Sequence, residues 1–287
     1  MKEAMNYGNL PPEYSDAGTA GIAMIPVAYD GTSTWMKGAD KGPGAIIEAS
    51  ANMELYDIET DSEVYKKGIY TEETIGGDLS AREMTEAVQR TVRDYLEAGR
   101  FTVVMGGEHS VSIGSVKAHA DHFRNLSVLQ LDAHADLRAE YNGSKYNHAC
   151  VMARVREMCP IVQVGIRSMD SSEKEHVDPS RVFFAEHLLT NTAWIEKVVT
   201  ALTDNVYVTI DLDVFDPAIM PSTGTPEPGG LGWYDVLKLL RAVSDNKSIV
   251  GFDVVELCPD DRNKAPDFLA AKLIYKVLSY IYGDRNG

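Results

Sequence analysis

The stretch Leu126–Arg138, LSVLQLDAHADLR, carries a largely apolar run into three ionisable residues, Asp132, His134 and Asp136, spaced one alanine apart. A continuous run without strict alternation is the pattern of a β-strand covered on both faces, which places the segment inside a parallel sheet. The ionisable residues then stand at the strand's carboxyl end. Two carboxylates and an imidazole removed from water lose hydration, and each charge must be matched or neutralised. The stretch therefore predicts something positive at the rim of a sheet.

The same reading extends outward in both directions. Short apolar and β-branched runs recur as GIAMIPV from Gly21, FTVVMGG from Phe101, IVQVGI from Ile161, RVFFAE from Arg181, VYVTIDLD from Val206 and IVGFDVV from Ile249. Between them fall helical patterns over Ala81–Glu97, Ser110–Phe123, His148–Met158, Thr192–Thr203, Tyr234–Ser244 and Ala265–Tyr282. Alternating strands and helices predict an α/β fold, a three-layer α/β/α arrangement around a central, mainly parallel sheet. No linker, repeat or low-complexity segment divides the chain, so residues 1–287 are expected to form one domain.

Composition narrows the function classes. Hydrophobic residues make up 44% of the 287 and charged residues 24%, enough apolar surface for a full core. No apolar run approaches the length of a membrane-spanning helix, and MKEAMNYGNLPPEYSD lacks the apolar centre of a signal peptide, so a soluble cytoplasmic protein is expected. Cys150, Cys159 and Cys258 show no paired spacing, which predicts reduced, buried thiols. Against 27 Lys and Arg stand 43 Asp and Glu, a formal charge of -16 that disfavours nucleic acid and anionic membranes as partners.

Three clusters repeat the opening theme: GGEHS with His109, DAHAD with Asp132, His134 and Asp136, and TIDLDVFDP with Asp211 and Asp213. On a strand, residues i and i+2 face the same side about 6.5 Å apart, so each pair can converge on a small group of ions. Two imidazoles and four carboxylates form a hard donor set without thiolate, which suits Mn²⁺ better than structural zinc. Six ligands exceed what one catalytic ion with an open position needs. Two ions sharing aspartates fit better, and such a pair acidifies a bridging water. Four aspartates neutralise two divalent ions, so an added hydroxide leaves the cluster slightly negative and open to a cationic electrophile.

GGEHS, DAHAD and DLDVFDP, in that order, resemble the arginase/agmatinase (ureohydrolase) family, and the similarity extends to YDGTST from Tyr29, VGIRS from Val164, GTPEPGG from Gly224 and DVVELCP from Asp253. The resemblance covers nearly the whole chain and implies an arginase-deacetylase-like fold. It implies two Mn²⁺ per chain, one held by His109, Asp132, Asp136 and Asp211, the other by Asp132, His134, Asp211 and Asp213. In such enzymes a metal-bridging hydroxide attacks a guanidinium carbon, giving urea and an amine. It further implies that Glu256 accepts hydrogen bonds from the guanidinium and that His148 carries protons to the leaving amine. His148 and Glu256, with Asp136, are the expected catalytic residues.

Some positions depart from the family pattern. Ala149 follows His148 where the family often has Gly, and Ser222 stands where a glycine is common before TGTPEPGG. The loop LRAEYNGSKYN after DAHAD is similar to the agmatinase branch, whose substrates lack an α-carboxylate, and Arg138 and Tyr141 are candidates for its entrance. Agmatine, hydrolysed to putrescine and urea, is the expected substrate, since an acidic surface favours a doubly charged amine. N1-aminopropylagmatine, arginine, guanidinobutyrate and guanidine are alternatives of the same reaction type. A single-zinc deacetylase-like amidohydrolase and a non-catalytic binding homologue are the other classes. The resemblance implies a homo-oligomer, a trimer or hexamer. His119 and His122 share a helix face at i, i+3, and Lys117 and Asp121 beside them predict a solvated face.

Overall fold

The computed structural model describes residues 5–188 and 193–283. Among these, nine strands form one sheet: β1 (Ile22–Ala28), β2 (Ile69–Thr71), β3 (Ile75–Gly76), β4 (Phe101–Gly106), β5 (Leu126–Leu131), β6 (Ile161–Ile166), β7 (Val182–Phe184), β8 (Asn205–Asp211) and β9 (Ser248–Val255). The order is β2-β1-β4-β9-β8-β5-β6-β7, with β3 also on β1, and every pairing is parallel. All seven runs read as strands are strands. The expected central, mainly parallel sheet with helices on both faces is what the chain forms.

The runs are apolar throughout because alternate residues of one strand feed cores on opposite faces. Val206, Val208 and Ile210 of β8 and Leu129 and Leu131 of β5 enter one core with the helices Trp233–Asn246 and Ala265–Tyr282. Tyr207 and Val128, from the same strands, enter the other with Val116 of the helix Val111–His122. The helix Ala81–Glu97 closes that second layer through Met84, Val88 and Val92, and its start is fixed by a capping box between Ser80 and Glu83.

The Thr192–Thr203 pattern is realised as Trp194–Ala201, and Thr192 lies outside the described residues. The His148–Met158 pattern becomes a 3₁₀ turn, His148–Cys150, followed by a short helix, Val151–Val155. Cys150 and Cys159 are buried free thiols, whereas Cys258 is only partly buried. The solvated face expected for His119 and His122 is half wrong. His122 is exposed, but His119 is fully buried, with Nδ1 against the Ser115 carbonyl at 2.8 Å and Nε2 against Thr102 Oγ1 at 3.2 Å. Gly251 makes this possible, since a Cβ there would lie 2.1 Å from His119 Nε2. Among the described residues, no helix is long and apolar enough to cross a membrane.

Candidate active site

Four neighbouring strands supply the site. His109 follows β4, Asp132, His134 and Asp136 follow β5, Asp211 closes β8 with Asp213 two residues on, and Glu256 follows β9. In the sheet these strands lie side by side as β4-β9-β8-β5. The chain thus leaves β4 for β5, beyond a gap that β8 and β9 fill later. Such a change of direction opens a crevice beyond the strands' carboxyl ends. Five of the six expected ligands and both further catalytic candidates, His148 and Glu256, line a cavity of about 300 Å³ there, and the sixth ligand, Asp132, is fully buried beside them.

The pairs converge by a route that strand pleating does not predict. β5 ends at Leu131 and β8 at Asp211, so His134 and Asp213 lie beyond the strands, the latter in a 3₁₀ turn, Leu212–Val214. Carboxylate oxygens pin these turns by accepting main-chain N–H groups: Asp132 from His134 at 2.6 Å, Asp211 from Asp213 at 2.9 Å, and Asp213 from Ala133 at 2.9 Å. Each aspartate spends one oxygen on the backbone and turns the other toward the imidazoles. Two groups of donor atoms result, each within 4.8 Å: His109, Asp132 and Asp211, and Asp132, His134 and Asp213. Asp136 joins the first, its Oδ2 lying 3.1 Å from His109 Nδ1. Asp132 belongs to both groups.

The chemistry of His109 shows what the cradle fits. The Thr209 hydroxyl donates to Asp253 Oδ1 at 2.6 Å, so its oxygen accepts the Nε2–H of His109 at 2.9 Å. That bond leaves Nδ1 facing the carboxylates. Burial opposes a charge on the ring, but Asp132, Asp136 and Asp211 outweigh it and hold the metal-free imidazole well above its usual range, and Nδ1 becomes a lone-pair nitrogen when a cation takes that proton's place. Nδ1 is buried without a hydrogen-bond partner among the described residues, yet oxygens of Asp132, Asp136 and Asp211 stand 3.1, 3.1 and 3.4 Å away. Donors so gathered repel unless a proton or a metal cation lies between them, and a metal-binding histidine held through its other nitrogen has this arrangement. These donors fit hard divalent ions.

Protonation shows the same need for positive charge. Burial, and then the charge of Asp132, pushes Asp136 up to about 7, and burial with Asp213 and Asp132 raises Asp211 well above the usual carboxylate range. Burial opposes a charge on His134, but Asp213 and Asp132 outweigh it and hold the imidazole up at about 12. Protons stand in for the ions. Burial, reinforced by the charges of His109 and His134, pushes His148 down to about 4, so its imidazole is neutral at physiological pH.

Two site carboxylates hold backbone angles that L-residues rarely adopt: Asp136 at φ 53° and Glu256 at φ 69°. Such conformations cost on the order of 1–3 kcal/mol each and persist where the surroundings over-determine them. Glu256 is held by its own N–H to the Gly107 carbonyl at 2.8 Å and by its Oε1, which accepts the His109 N–H at 2.7 Å. Gly107 is required for proximity, since a Cβ there would lie 1.9 Å from the Tyr29 carbonyl oxygen.

Sequence reasoning missed several supporting residues. Buried Glu173 accepts the N–H groups of Leu137 at 2.7 Å and Asp170 at 2.6 Å, tying down the segment after DAHAD. Arg167 of VGIRS donates to the carbonyls of Asp213 and Glu227, each at 2.7 Å, and so joins three motifs. Thr32 of YDGTST meets both Glu108 and His148. The motifs mark these segments; the partners, dozens of residues away, are not visible in them. Arg138 stacks over the Tyr141 ring at 4.7 Å and faces Asp170 at 3.5 Å, and both residues line the cavity.

A sequence profile described as the Arginase family matches residues 20–279. The chain belongs to the arginase family. Among curated members, the N(1)-aminopropylagmatine ureohydrolase of Synechocystis sp. is 36% identical over 93% of this chain and 90% of its own length. The agmatinase of Pyrococcus horikoshii is 32% identical over 92% and 93% respectively. The agmatine ureohydrolase of Thermoplasma volcanium superposes with a TM-score of 0.87 at 29% identity, covering 98% of this chain and 95% of that one. As an arginase-family ureohydrolase, the chain is an enzyme that hydrolyses a guanidino C–N bond.

Proposed function

We propose that the chain is a binuclear manganese hydrolase of a linear guanidino amine of the agmatine type, releasing urea and the corresponding amine. The observation that carries this is the convergence of two imidazoles and four carboxylates, three of the carboxylates lining one cavity with Glu256 and His148 and the fourth, Asp132, buried among them. His109, Asp132, Asp136 and Asp211 would hold one ion and Asp132, His134, Asp211 and Asp213 the other. When bound, such a pair supplies Lewis acidity that activates water for attack on the guanidinium carbon. Glu256 accepts guanidinium N–H groups and orients the plane of the cation, a pairing suited to carboxylate geometry. His148, neutral and at the cavity wall, moves the proton that the departing amine nitrogen needs.

Agmatine, giving putrescine and urea, is the first reading of the substrate. N1-aminopropylagmatine is the second, favoured by the 36% identity to a relative of that name against 32% to a named agmatinase. Urea release from both, and from arginine, guanidinobutyrate and guanidine, tests the reading after manganese loading. A preference for arginine would overturn the agmatine-type assignment, and no urea from any of them would overturn the function. The same reading carries a cytoplasmic homo-oligomer of three or six chains, which light scattering would check for mass.

A further inference from the structure

We infer that Thr32 is a positioning residue for His148, its hydroxyl fixing which ring nitrogen carries the proton; the inference rests on the proposed role of His148. Thr32 Oγ1 donates to Glu108 Oε1 at 2.9 Å. Glu108 is fully buried and also accepts from the Ser110 hydroxyl and N–H, each at 2.8 Å, so it is an anchored acceptor. A hydroxyl has one proton, and this one is directed to Glu108. The oxygen of Thr32 can then only accept from its other neighbours. These are the His148 main-chain N–H at 2.9 Å and the His148 ring nitrogen Nδ1 at 3.1 Å.

The proton on the ring therefore sits on Nδ1. Nε2 is left with its lone pair, available to the cavity that the ring lines. A group that must take a proton and pass it to a leaving amine needs that tautomer, and a histidine's free nitrogen is set by the bond its other nitrogen makes. The two contacts from Thr32, one to the backbone and one to the ring, also remove the ring's freedom to turn. Tyr141 completes the enclosure, its ring edge-on to the imidazole at 6.2 Å. Glu108–Thr32–His148 is thus a carboxylate-to-imidazole connection bridged by a hydroxyl, reaching across 76 and 116 residues of sequence.

The test compares Thr32→Val, which keeps the shape and removes the hydroxyl, with Thr32→Ser, which keeps the hydroxyl. In the manganese-loaded enzyme, Thr32→Val is expected to lower kcat by about 10- to 100-fold, less than the about 10²- to 10⁴-fold that a positioned acid–base group supplies. KM and bound manganese should stay within about twofold of the unsubstituted enzyme, and Thr32→Ser should recover most of kcat. The pH limb of kcat assigned to the imidazole should move down in Thr32→Val, because the acceptor that favours the protonated ring is gone. The other titratable groups around the ring, His109, His134, Lys37, Asp136 and Glu256, are the same in both variants. Nitrogen-15 NMR of the full chain loaded with diamagnetic Mg²⁺, with His148→Gln to assign the ring, reads the tautomer without any substrate. Nδ1–H in the unsubstituted chain and in Thr32→Ser, but a mixture in Thr32→Val, supports the inference even if no guanidino compound is turned over. An unchanged tautomer and pH limb in Thr32→Val, or equal damage from valine and serine, would overturn it.

Discussion

The floor and the rim of the cavity are built on different principles. On the floor, His109, Asp132, Asp211 and Asp213 are nearly inaccessible and stand at or just beyond the ends of adjacent strands. Their remaining polar atoms are tied to backbone N–H groups or to partners such as Thr209. On the rim, Trp35 is 75% exposed, Met169 40% and Met36 39%, all on loops. In the proposed function the floor would fix the reaction, because displacing a donor atom by an ångström would undo an ion site. The rim would then set which molecule is presented to it, since loops tolerate change.

The contrast breaks most sharply if the floor can be altered without consequence. Asp132→Ala is expected to abolish binding of at least one ion and to lower urea release by at least about 10³-fold, since this residue belongs to both donor groups. Elemental analysis of the purified variant alongside urea assays reads both; retention of two ions per chain would sink the shared-ligand assignment. His148→Ala should instead retain the metals while kcat falls by about 10²- to 10⁴-fold. Loss of metal in that variant would move His148 from the proton-handling wall to the floor.

The floor should also bind metal in a pH-dependent way. In the metal-free protein Asp136 titrates at about 7, Asp211 is raised, and His134 is held at about 12, so ions entering at neutral pH displace protons from all three. Affinity for Mn²⁺ is therefore predicted to rise as pH increases from about 5 to about 8. The sign follows from proton release, because a lower proton concentration favours the state that binds fewer protons. Calorimetric titrations in two buffers of different ionisation enthalpy measure the release directly. A flat affinity across that range would show that none of the three groups carries a proton for the metal to displace.

Much of the floor is legible in the amino-acid sequence because two signals coincide there. A continuous apolar run marks a strand buried on both faces, and ionisable residues at its end have no inexpensive explanation except a cation. What escapes depends on contacts between distant segments. β2 and β3 have three and two residues, too few for a pattern, and are strands only because β1 offers its edge. The helix Gly42–Ser50 opens on Gly-Pro-Gly, which reads as a loop. The charged neighbours of His119 mislead: Lys117 and Asp121 pair at i, i+4 on the outer face, while a residue midway between them points about 200° around the helix, toward the sheet. The convergence of Asp211 and Asp213 comes from a 3₁₀ turn, where the sequence suggests a strand.

The smallest predicted effect lies on the rim and sharpens the contrast from the other side. Trp35 lines the cavity mouth with most of its indole in solvent, a surface on which a passing ammonium group can rest. A cation over an exposed aromatic face gains about 0.5–1 kcal/mol, equivalent to about a two- to fivefold change in affinity. Trp35→Ala should therefore raise KM by about that factor and leave kcat and bound metal unchanged. If the mouth reads the far end of the substrate, the rise should be larger for N1-aminopropylagmatine, which carries an additional amine, than for agmatine. Parallel steady-state titrations with the two compounds measure this difference. A fall in kcat with KM constant would place the indole among the groups that act on the reaction, and the separation of floor from rim would fail at that residue.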